Sequence, residues 1–127
     1  MNPLSRQLKL GTIGELFVQL RLLEHDIQAV SPHKDTGNDL LAVRGETFRA
    51  VQVKSFAGGV CQFDQRKLMA RAFHVLALVQ LEGEDRRVFL DRSRIFLLRR
   101  DEISKGRFVS DELEQYELTN RVAELFP

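Results

Sequence analysis

The chain has few of the residues that mark secreted or membrane-spanning proteins. Its 127 residues include one cysteine, Cys61, three prolines, one tyrosine and no tryptophan. A single cysteine cannot close an intrachain disulfide, and no apolar run approaches the roughly 18 residues that a membrane span needs. The sequence also shows no cleavable apolar leader. We therefore expect a soluble, cytoplasmic protein in which Cys61 is a small buried hydrophobe.

Excess charge of one sign is also missing. The formal net charge is +1, although 29% of the residues are charged. Composition alone therefore implies no nucleic-acid partner, and any basic surface must come from local clustering. The length of 127 residues and the 43% hydrophobic content predict one domain, 1–127, with a substantial core.

Apolar periodicity predicts a mixed α/β fold. Steps of three and four residues indicate a helix over 8–24, and a polar loop over 33–38 follows a short strand at 27–30. A hairpin over 39–55 comes next. Asp64 is a plausible N-cap for a helix over 67–73, and the apolar run 75–81 is typical of an interior strand. Further strands are predicted at 88–90 and 95–98, and an amphipathic helix at 111–126. The order predicts a mixed central sheet flanked by helices.

The hairpin has a register that the sequence predicts. Gly45 followed by Glu46 suits a two-residue type II′ turn, in which Arg44 lies opposite Thr47. Every cross-strand pair then has position numbers that sum to 91.

In this register Asp39 lies opposite Gln52, and Lys54 shares their face of the hairpin. Four apolar residues lie on the same face between these residues and the turn. We therefore predict that this face packs in the core and that the polar residues line an opening at its end. They are Leu41, Val43, Phe48 and Ala50. Glu15 follows Gly14 on the first helix. A glycine at this position would let the helix approach the polar end of the hairpin closely.

Three segments together resemble a known family: "GTIGELF" at 11–17, "GNDLL" at 37–41 and "AVQVKS" at 50–55. They resemble the PD-(D/E)XK endonuclease superfamily in its Q-x-K variant, and are similar to small bacterial endonucleases and archaeal-type Holliday-junction resolvases. The resemblance implies a restriction-endonuclease-like αβββαβ core, divalent-metal-dependent cleavage of DNA phosphodiester bonds, and often a homodimer. The resemblance places such an activity in DNA repair, recombination or restriction.

The resemblance also implies roles for individual residues. Asp39 matches the metal-binding aspartate, Lys54 the motif lysine and Glu15 the glutamate of the first helix. Gln52 stands where glutamate or aspartate is usual, and Asn38 stands where a proline often precedes the aspartate.

The chemistry of the same residues is consistent with Mg²⁺ or Mn²⁺ as the cofactor. Hard cations take oxygen ligands, here the carboxylates of Asp39 and Glu15, the amide oxygen of Gln52 and the backbone carbonyl of Val53. An amide in place of a carboxylate removes one negative charge and should weaken metal binding. Lys54 would position or deprotonate a water, or offset charge on the scissile phosphate.

Candidate DNA contacts are basic or polar residues near the motif or on the two helices beside it, because phosphate neutralisation is the main sequence-independent source of affinity. These residues are Arg6, Lys9, Lys34, Arg49, Ser55, Arg66, Lys67 and Arg71.

Two other interpretations stay open at this point. The chain could bind nucleic acid through a nuclease fold without cleaving it, for which Gln52 is the main argument. It could also be an interaction protein that uses the predicted helix at 111–126, whose apolar residues would form a docking or self-associating surface. Those residues are Leu118, Val122, Leu125 and Phe126. Singly, each proposed site residue also fits an ordinary surface role.

Overall fold

The structure is a computed structural model that describes residues 6–32, 39–84 and 87–127. The α-helices are α1 (Arg6–Leu23), α2 (Gln65–Met69), α3 (Ser110–Leu113) and α4 (Leu118–Leu125). The strands are β1 (Gln28–Val30), β2 (Leu40–Arg44), β3 (Thr47–Phe56), β4 (Val60–Gln62), β5 (Val75–Gln80), β6 (Gly83–Glu84), β7 (Arg87–Val88), β8 (Arg94–Arg99) and β9 (Arg107–Val109). Within these ranges, no helix is both long and apolar enough to cross a membrane.

A five-stranded sheet in the order β1-β2-β3-β5-β8 forms the centre of the molecule. The β3–β5 pair is parallel and the other neighbouring pairs are antiparallel, so the sheet is mixed. Helices α1 and α4 pack on one face, and β4, β9, α2 and α3 lie over the other. The predicted fold class, a mixed sheet flanked by helices with the element order αβββαβ, is confirmed.

The predicted hairpin register is also confirmed. The β2–β3 pairs run from Leu40 opposite Val51 to Arg44 opposite Thr47. Gly45 has a φ of 59°, a left-handed conformation in which glycine carries no steric penalty, and Glu46 has a negative φ. This combination is the one that a type II′ turn requires.

The strand predicted over 75–81 is interior, as expected. All six residues of β5 are buried, and β3 and β8 pair with it on its two sides. A strand that is covered on both faces has no need for polar alternation, which explains its continuous apolar sequence.

The hairpin face that carries Gln52 is not the main core face, contrary to the prediction. Phe48 on that face is 63% exposed, while Leu41 and Val43 are half-buried. The opposite face of β2 and β3 is buried beneath α1. On the Gln52 face, the covering elements pack mainly over β5 and β8, so the β1–β2 side of the sheet is left open.

The helix predicted over 111–126 is broken into α3, a 3-10 turn at Glu114–Tyr116 and α4. The break follows from contacts with β8: Arg94 forms ion pairs with Glu114 and Glu117, both at 3.0 Å, and Glu117 makes a β-bridge with Phe96. Glu117 therefore adopts an extended conformation between the two helices.

The self-associating surface predicted on the last helix is wrong, because its apolar residues fold back onto the core. Leu118, Val122, Leu125 and Phe126 are all buried against the α1 side of the sheet. Arg44 at the hairpin turn also donates a hydrogen bond to the carbonyl of Phe126 at 2.9 Å. The interaction-protein interpretation loses the surface on which it depended.

Several smaller elements begin or end at residues other than those predicted. Asp64 is the N-cap of α2, as predicted, and accepts a hydrogen bond from the Lys67 amide at 3.1 Å, but the helix ends at Met69. The strand predicted at 88–90 is the two-residue β7. The β4–β9 pair was not predicted at all; Cys61, in β4, is buried as expected.

Gly14 lets α1 lie close to β3. A Cβ atom at this position would lie 1.9 Å from Ser55 Oγ and 3.3 Å from Ser55 Cβ. The first distance is far inside van der Waals contact. The close approach predicted for the Gly14-Glu15 turn of the helix is therefore confirmed.

Gly14→Ala should destabilise the protein. Alanine gains about 1 kcal/mol of helix propensity over glycine, but overpacking typically costs about 1–3 kcal/mol, so we expect a net loss of about 1 kcal/mol. Ser55→Ala should restore most of it, because the 1.9 Å contact with Oγ is lost and the tightest of the contacts that remain is 3.3 Å, to the Cβ atom of residue 55. Urea unfolding of the two single variants and the double variant measures the coupling. A Gly14→Ala protein that is about 1 kcal/mol more stable than wild type would show that Ser55 rotates away without cost.

Candidate active site

Polar side chains meet in an open cleft at the end of the β2–β3 hairpin away from its turn. All four residues predicted to be catalytic, Glu15, Asp39, Gln52 and Lys54, line this cleft. The full lining consists of Leu10, Gly11, Glu15, Asp39, Gln52, Val53, Lys54, Ser55 and Arg71. The structure thus brings the first helix and the hairpin motif together at one place.

Asp39 is held by two hydrogen bonds from β3. Its Oδ2 atom accepts one from Gln52 Nε2 at 2.9 Å and one from the Val53 backbone N–H at 2.8 Å. Both donors use the same oxygen, so neither of these bonds occupies Oδ1, the second oxygen that the carboxylate could offer to a cation or a water. Asp39 immediately precedes β2, so these bonds extend the contact between the strands by one residue.

Gln52 is a buried polar side chain with half of its amide unpartnered. The residue is 2% exposed, and its Oε1 atom has no hydrogen-bond donor in the described parts of the chain. Leaving a buried acceptor unsatisfied costs about 1–3 kcal/mol. A bound cation or water at this oxygen would remove that cost, so Gln52 is chemically suited to be an oxygen ligand.

Lys54 lies on the same strand face as Gln52, as predicted, and is half-buried. The Lys54 ammonium affects the pKa of the Cys61 thiol in β4. Burial raises this pKa to about 11, and the positive charge of Lys54 opposes part of the rise. The thiol is therefore protonated at neutral pH, which excludes a thiolate nucleophile next to Lys54.

Glu15 approaches the cleft from α1. Its pKa is raised, first by partial burial and second by the negative charge of Asp39. The two carboxylates are thus close enough to repel each other. Among residues 6–32, 39–84 and 87–127, no group of three or more histidines, cysteines or acids could hold a metal. A cation in this cleft would have to rely on two carboxylates, the Gln52 amide oxygen and the Val53 carbonyl.

The predicted DNA contacts are more scattered. Ser55 and Arg71 line the cleft itself, and Arg66 and Lys67 are exposed on α2. Lys9 is exposed on α1, as is Arg6 at its start. Lys34 lies outside the residues that the structure describes. Arg49 lies on the sheet face opposite Gln52 and donates a hydrogen bond to the Phe48 carbonyl at 2.9 Å.

Two lining residues, Leu10 and Gly11, were not predicted. Gly11 precedes Glu15 by four residues and therefore shares its side of the helix. A Cβ atom at Gly11 would meet nothing within 4 Å, which shows that the cleft is open above this residue. The helical period counted back from Glu15 was the signal that could have identified it.

Glu15→Gln should stabilise the metal-free protein at neutral pH. A carboxyl with a raised pKa holds its proton more tightly in the folded than in the unfolded state, so its ionisation lowers stability. That penalty is present above the raised pKa and disappears as the pH falls through it towards the ordinary value of 4.5. The difference in unfolding free energy between variant and wild type should therefore be positive at pH 7 and vanish near pH 4. A variant that is less stable by the same amount at both pH values would contradict the electrostatic explanation.

Comparisons with known proteins bear on the fold. No protein-family model matches the chain, and no curated protein matches it in sequence. Among solved structures, a bacterial homing endonuclease, I-Ssp6803I, is similar with a TM-score of 0.59 and 16% sequence identity. The match covers 83% of this chain and 78% of that one. At this level of identity, the similarity shows that the two chains share a fold.

Proposed function

We propose that the chain is a metal-dependent DNA endonuclease of the PD-(D/E)XK type, with glutamine at the second acidic position. The observation that carries the proposal is the pair of hydrogen bonds joining Asp39 to Gln52 and Val53, with Lys54 two residues farther along the same face. The fold shared with a homing endonuclease supports it. A DNA substrate also fits the cytoplasmic location expected for the protein.

The donor atoms in the cleft fit Mg²⁺ or Mn²⁺. Asp39 and Glu15 supply charge, while the buried Gln52 Oε1 atom and the Val53 carbonyl supply neutral oxygens. A bound divalent cation would neutralise the phosphate and lower the pKa of a water that attacks it. Its affinity should be modest, because the two carboxylates carry less charge than three would.

Lys54 is the residue that would act on the attacking water or on the scissile phosphate. Its ammonium is compact and bears three donors, so it can orient a water or offset developing negative charge. Partial burial limits screening by solvent, which makes that charge more effective than it would be on an open surface.

Arg71 and Ser55 are the nearest of the proposed DNA contacts to the reacting groups, because both line the cleft. Arg66 and Lys67 extend the basic surface along α2, and Lys9 lies on α1. Arginine and lysine contacts to phosphates make affinity fall steeply with salt. We therefore expect binding that depends strongly on ionic strength and weakly on sequence at these positions.

A second function, binding of DNA without cleavage, is favoured by one observation. In the described parts of the chain only two carboxylates meet in the cleft, and the second acidic position of the motif is the amide of Gln52. If the metal affinity that remains is too low, the fold would still present its basic residues to DNA. Cleavage assays separate the two functions, since both predict binding.

Gln52→Glu should destabilise the metal-free protein and strengthen metal binding. The change replaces a hydrogen bond to Asp39 with a second carboxylate beside it, which we expect to cost about 1–3 kcal/mol. Binding of Mg²⁺ should return stability as the metal concentration rises. Thermal unfolding with and without Mg²⁺, together with calorimetric titration, measures both effects. Gln62→Glu, at an exposed position of β4, is the matched control and should change neither. A Gln52→Glu protein that is equally stable without metal would contradict the assignment.

Asp39→Asn should abolish metal binding, and Lys54→Ala should retain it while lowering cleavage by about 10²–10⁴-fold, the usual contribution of an acid–base group. The assay uses duplex, single-stranded and branched DNA with Mg²⁺, Mn²⁺ or a chelator. Metal affinity is measured separately by calorimetry, and circular dichroism checks folding.

Asp91→Asn and Lys105→Ala are the matched controls, because both residues lie outside the cleft. They should behave as wild type. Equal metal binding by wild type and Asp39→Asn would refute the metal site. Metal and DNA binding without cleavage of any substrate would favour the second function.

A further inference from the structure

The Gln52 face of the sheet is uncovered along β1, β2 and the first half of β3. The elements that pack on this face lie mainly over β5 and β8. Five uncharged side chains, each exposed or half-buried, remain on the uncovered part, which we call the open sheet face. They are Gln28, Val30, Leu41, Val43 and Phe48. Packing within the described parts of the chain does not explain why this surface is mostly apolar.

Phe48 is the most exposed apolar side chain of the open sheet face. It is 63% exposed, whereas the other eight phenylalanines of the chain are buried or half-buried. An exposed aromatic ring on a sheet offers a π face on which a flat partner can stack. The ring is therefore suited to bind another planar group.

His74 lies beside Phe48 on the same face. Its backbone N–H donates a hydrogen bond to the Ala50 carbonyl, and its Nδ1 atom accepts one from the Ala50 N–H, both at 2.9 Å. These bonds continue the parallel β3–β5 register by one residue, which places His74 opposite Ala50 and, like Leu76, on the Gln52 face. Phe48 is about 7 Å from Ala50 along β3, and His74 is about 5 Å from Ala50 across the strands. The two rings are therefore neighbours.

The hydrogen bond from Ala50 fixes the tautomer of the His74 ring. A nitrogen that accepts a backbone hydrogen bond carries no proton, so the neutral ring has its proton on Nε2. The side chain is exposed, and its Nε2–H group is a directional donor on the side of the ring away from Ala50. Phe48 and His74 thus combine an apolar stacking face with one neutral N–H donor.

Positive charge lies in the cleft and not on the open sheet face. Lys54 and Arg71 line the cleft, and Gln52 is about 13 Å from Phe48 along β3. A phosphate is attracted to the cleft, whereas a nucleobase is flat, uncharged and carries acceptor atoms on its edge. The two surfaces are continuous on one face of β3, so a single DNA strand can occupy both.

We propose that Phe48 and His74 bind an unpaired nucleobase of the DNA strand whose phosphate lies in the cleft. Phe48 stacks on the base, and the His74 Nε2–H group donates to an acceptor on its edge. This assignment rests on the proposed function and adds a substrate class to it, DNA that is single-stranded or branched beside the cleavage site. A base of an intact duplex is paired and stacked, and it would first have to be extruded.

Fluorescence anisotropy with labelled single-stranded, branched and blunt duplex DNA tests the substrate class, with a chelator present so that binding is measured without cleavage. Wild type should prefer the first two. Phe48→Ala should weaken binding to both by about 5- to 150-fold, the usual effect of removing one stacking ring, and should bind duplex DNA as wild type does. Phe48→Tyr should retain the affinity. Val60→Ala, at an exposed apolar position of β4, is the matched control and should change nothing.

Abasic DNA tests whether Phe48 contacts a base. Bases are removed one at a time from the unpaired strand of the branched substrate, whose junction fixes the register. Removal at one position should weaken wild-type binding and should have no effect on Phe48→Ala. His74→Asn keeps an acceptor for the Ala50 N–H but has no donor at the position of Nε2. It should stay folded by circular dichroism and bind the same substrates more weakly.

Three results would overturn the base-binding site and leave the proposed function intact. The first is equal affinity of wild type and Phe48→Ala for single-stranded and branched DNA. The second is equal weakening of duplex binding by Phe48→Ala, and the third is an abasic effect that persists in that variant. A wild type that binds none of the DNA substrates would instead refute the proposed function, and the base-binding site with it.

Discussion

The two hydrogen bonds that Asp39 accepts from β3 determine the geometry of the cleft. Among the residues that the structure describes, the pairing of β2 with β3 ends at Leu40 and Val51, and no strand residue pairs with Val53 on that side. The Asp39 carboxylate accepts the hydrogen bond of this N–H group and also binds the Gln52 side chain. One carboxylate thus completes the sheet hydrogen bonding and gathers the polar residues, because a buried N–H must find an acceptor.

The position at the end of the strand pair explains how side chains from both faces of the sheet meet. Gln52 and Lys54 lie on one face, while Ser55 lies on the other face beneath α1. In the middle of a sheet these groups would be separated by the backbone layer. At the strand end the backbone no longer intervenes, and the contact of Gly14 with Ser55 brings Glu15 to the same opening as Asp39.

The parts of this arrangement that depend on local rules could be predicted from the sequence. Turn chemistry at Gly45 and the two-residue period of strands were enough for the register, since a slip by one residue would have turned every side chain to the wrong face. Long-range packing could not be predicted in this way. The exposure of Phe48 depends on which half of the sheet the later elements cover, and the break at Glu117 depends on ion pairs with Arg94, far away in sequence.

Gln52 offers something that an acid at this position would not. An amide carries a donor and an acceptor that exchange places when it rotates by half a turn. With Nε2 towards Asp39, it stabilises the cleft by a hydrogen bond. A carboxylate would add a third negative charge beside Asp39 and Glu15, and the pKa of Glu15 is already raised, first by burial and second by the charge of Asp39. With Oε1 turned towards a cation, the same side chain becomes a neutral ligand. In the metal site that we propose, Gln52 would lower metal affinity and stabilise the metal-free protein, and its buried Oε1 atom, which has no donor in the described parts of the chain, is the atom that would bind the cation.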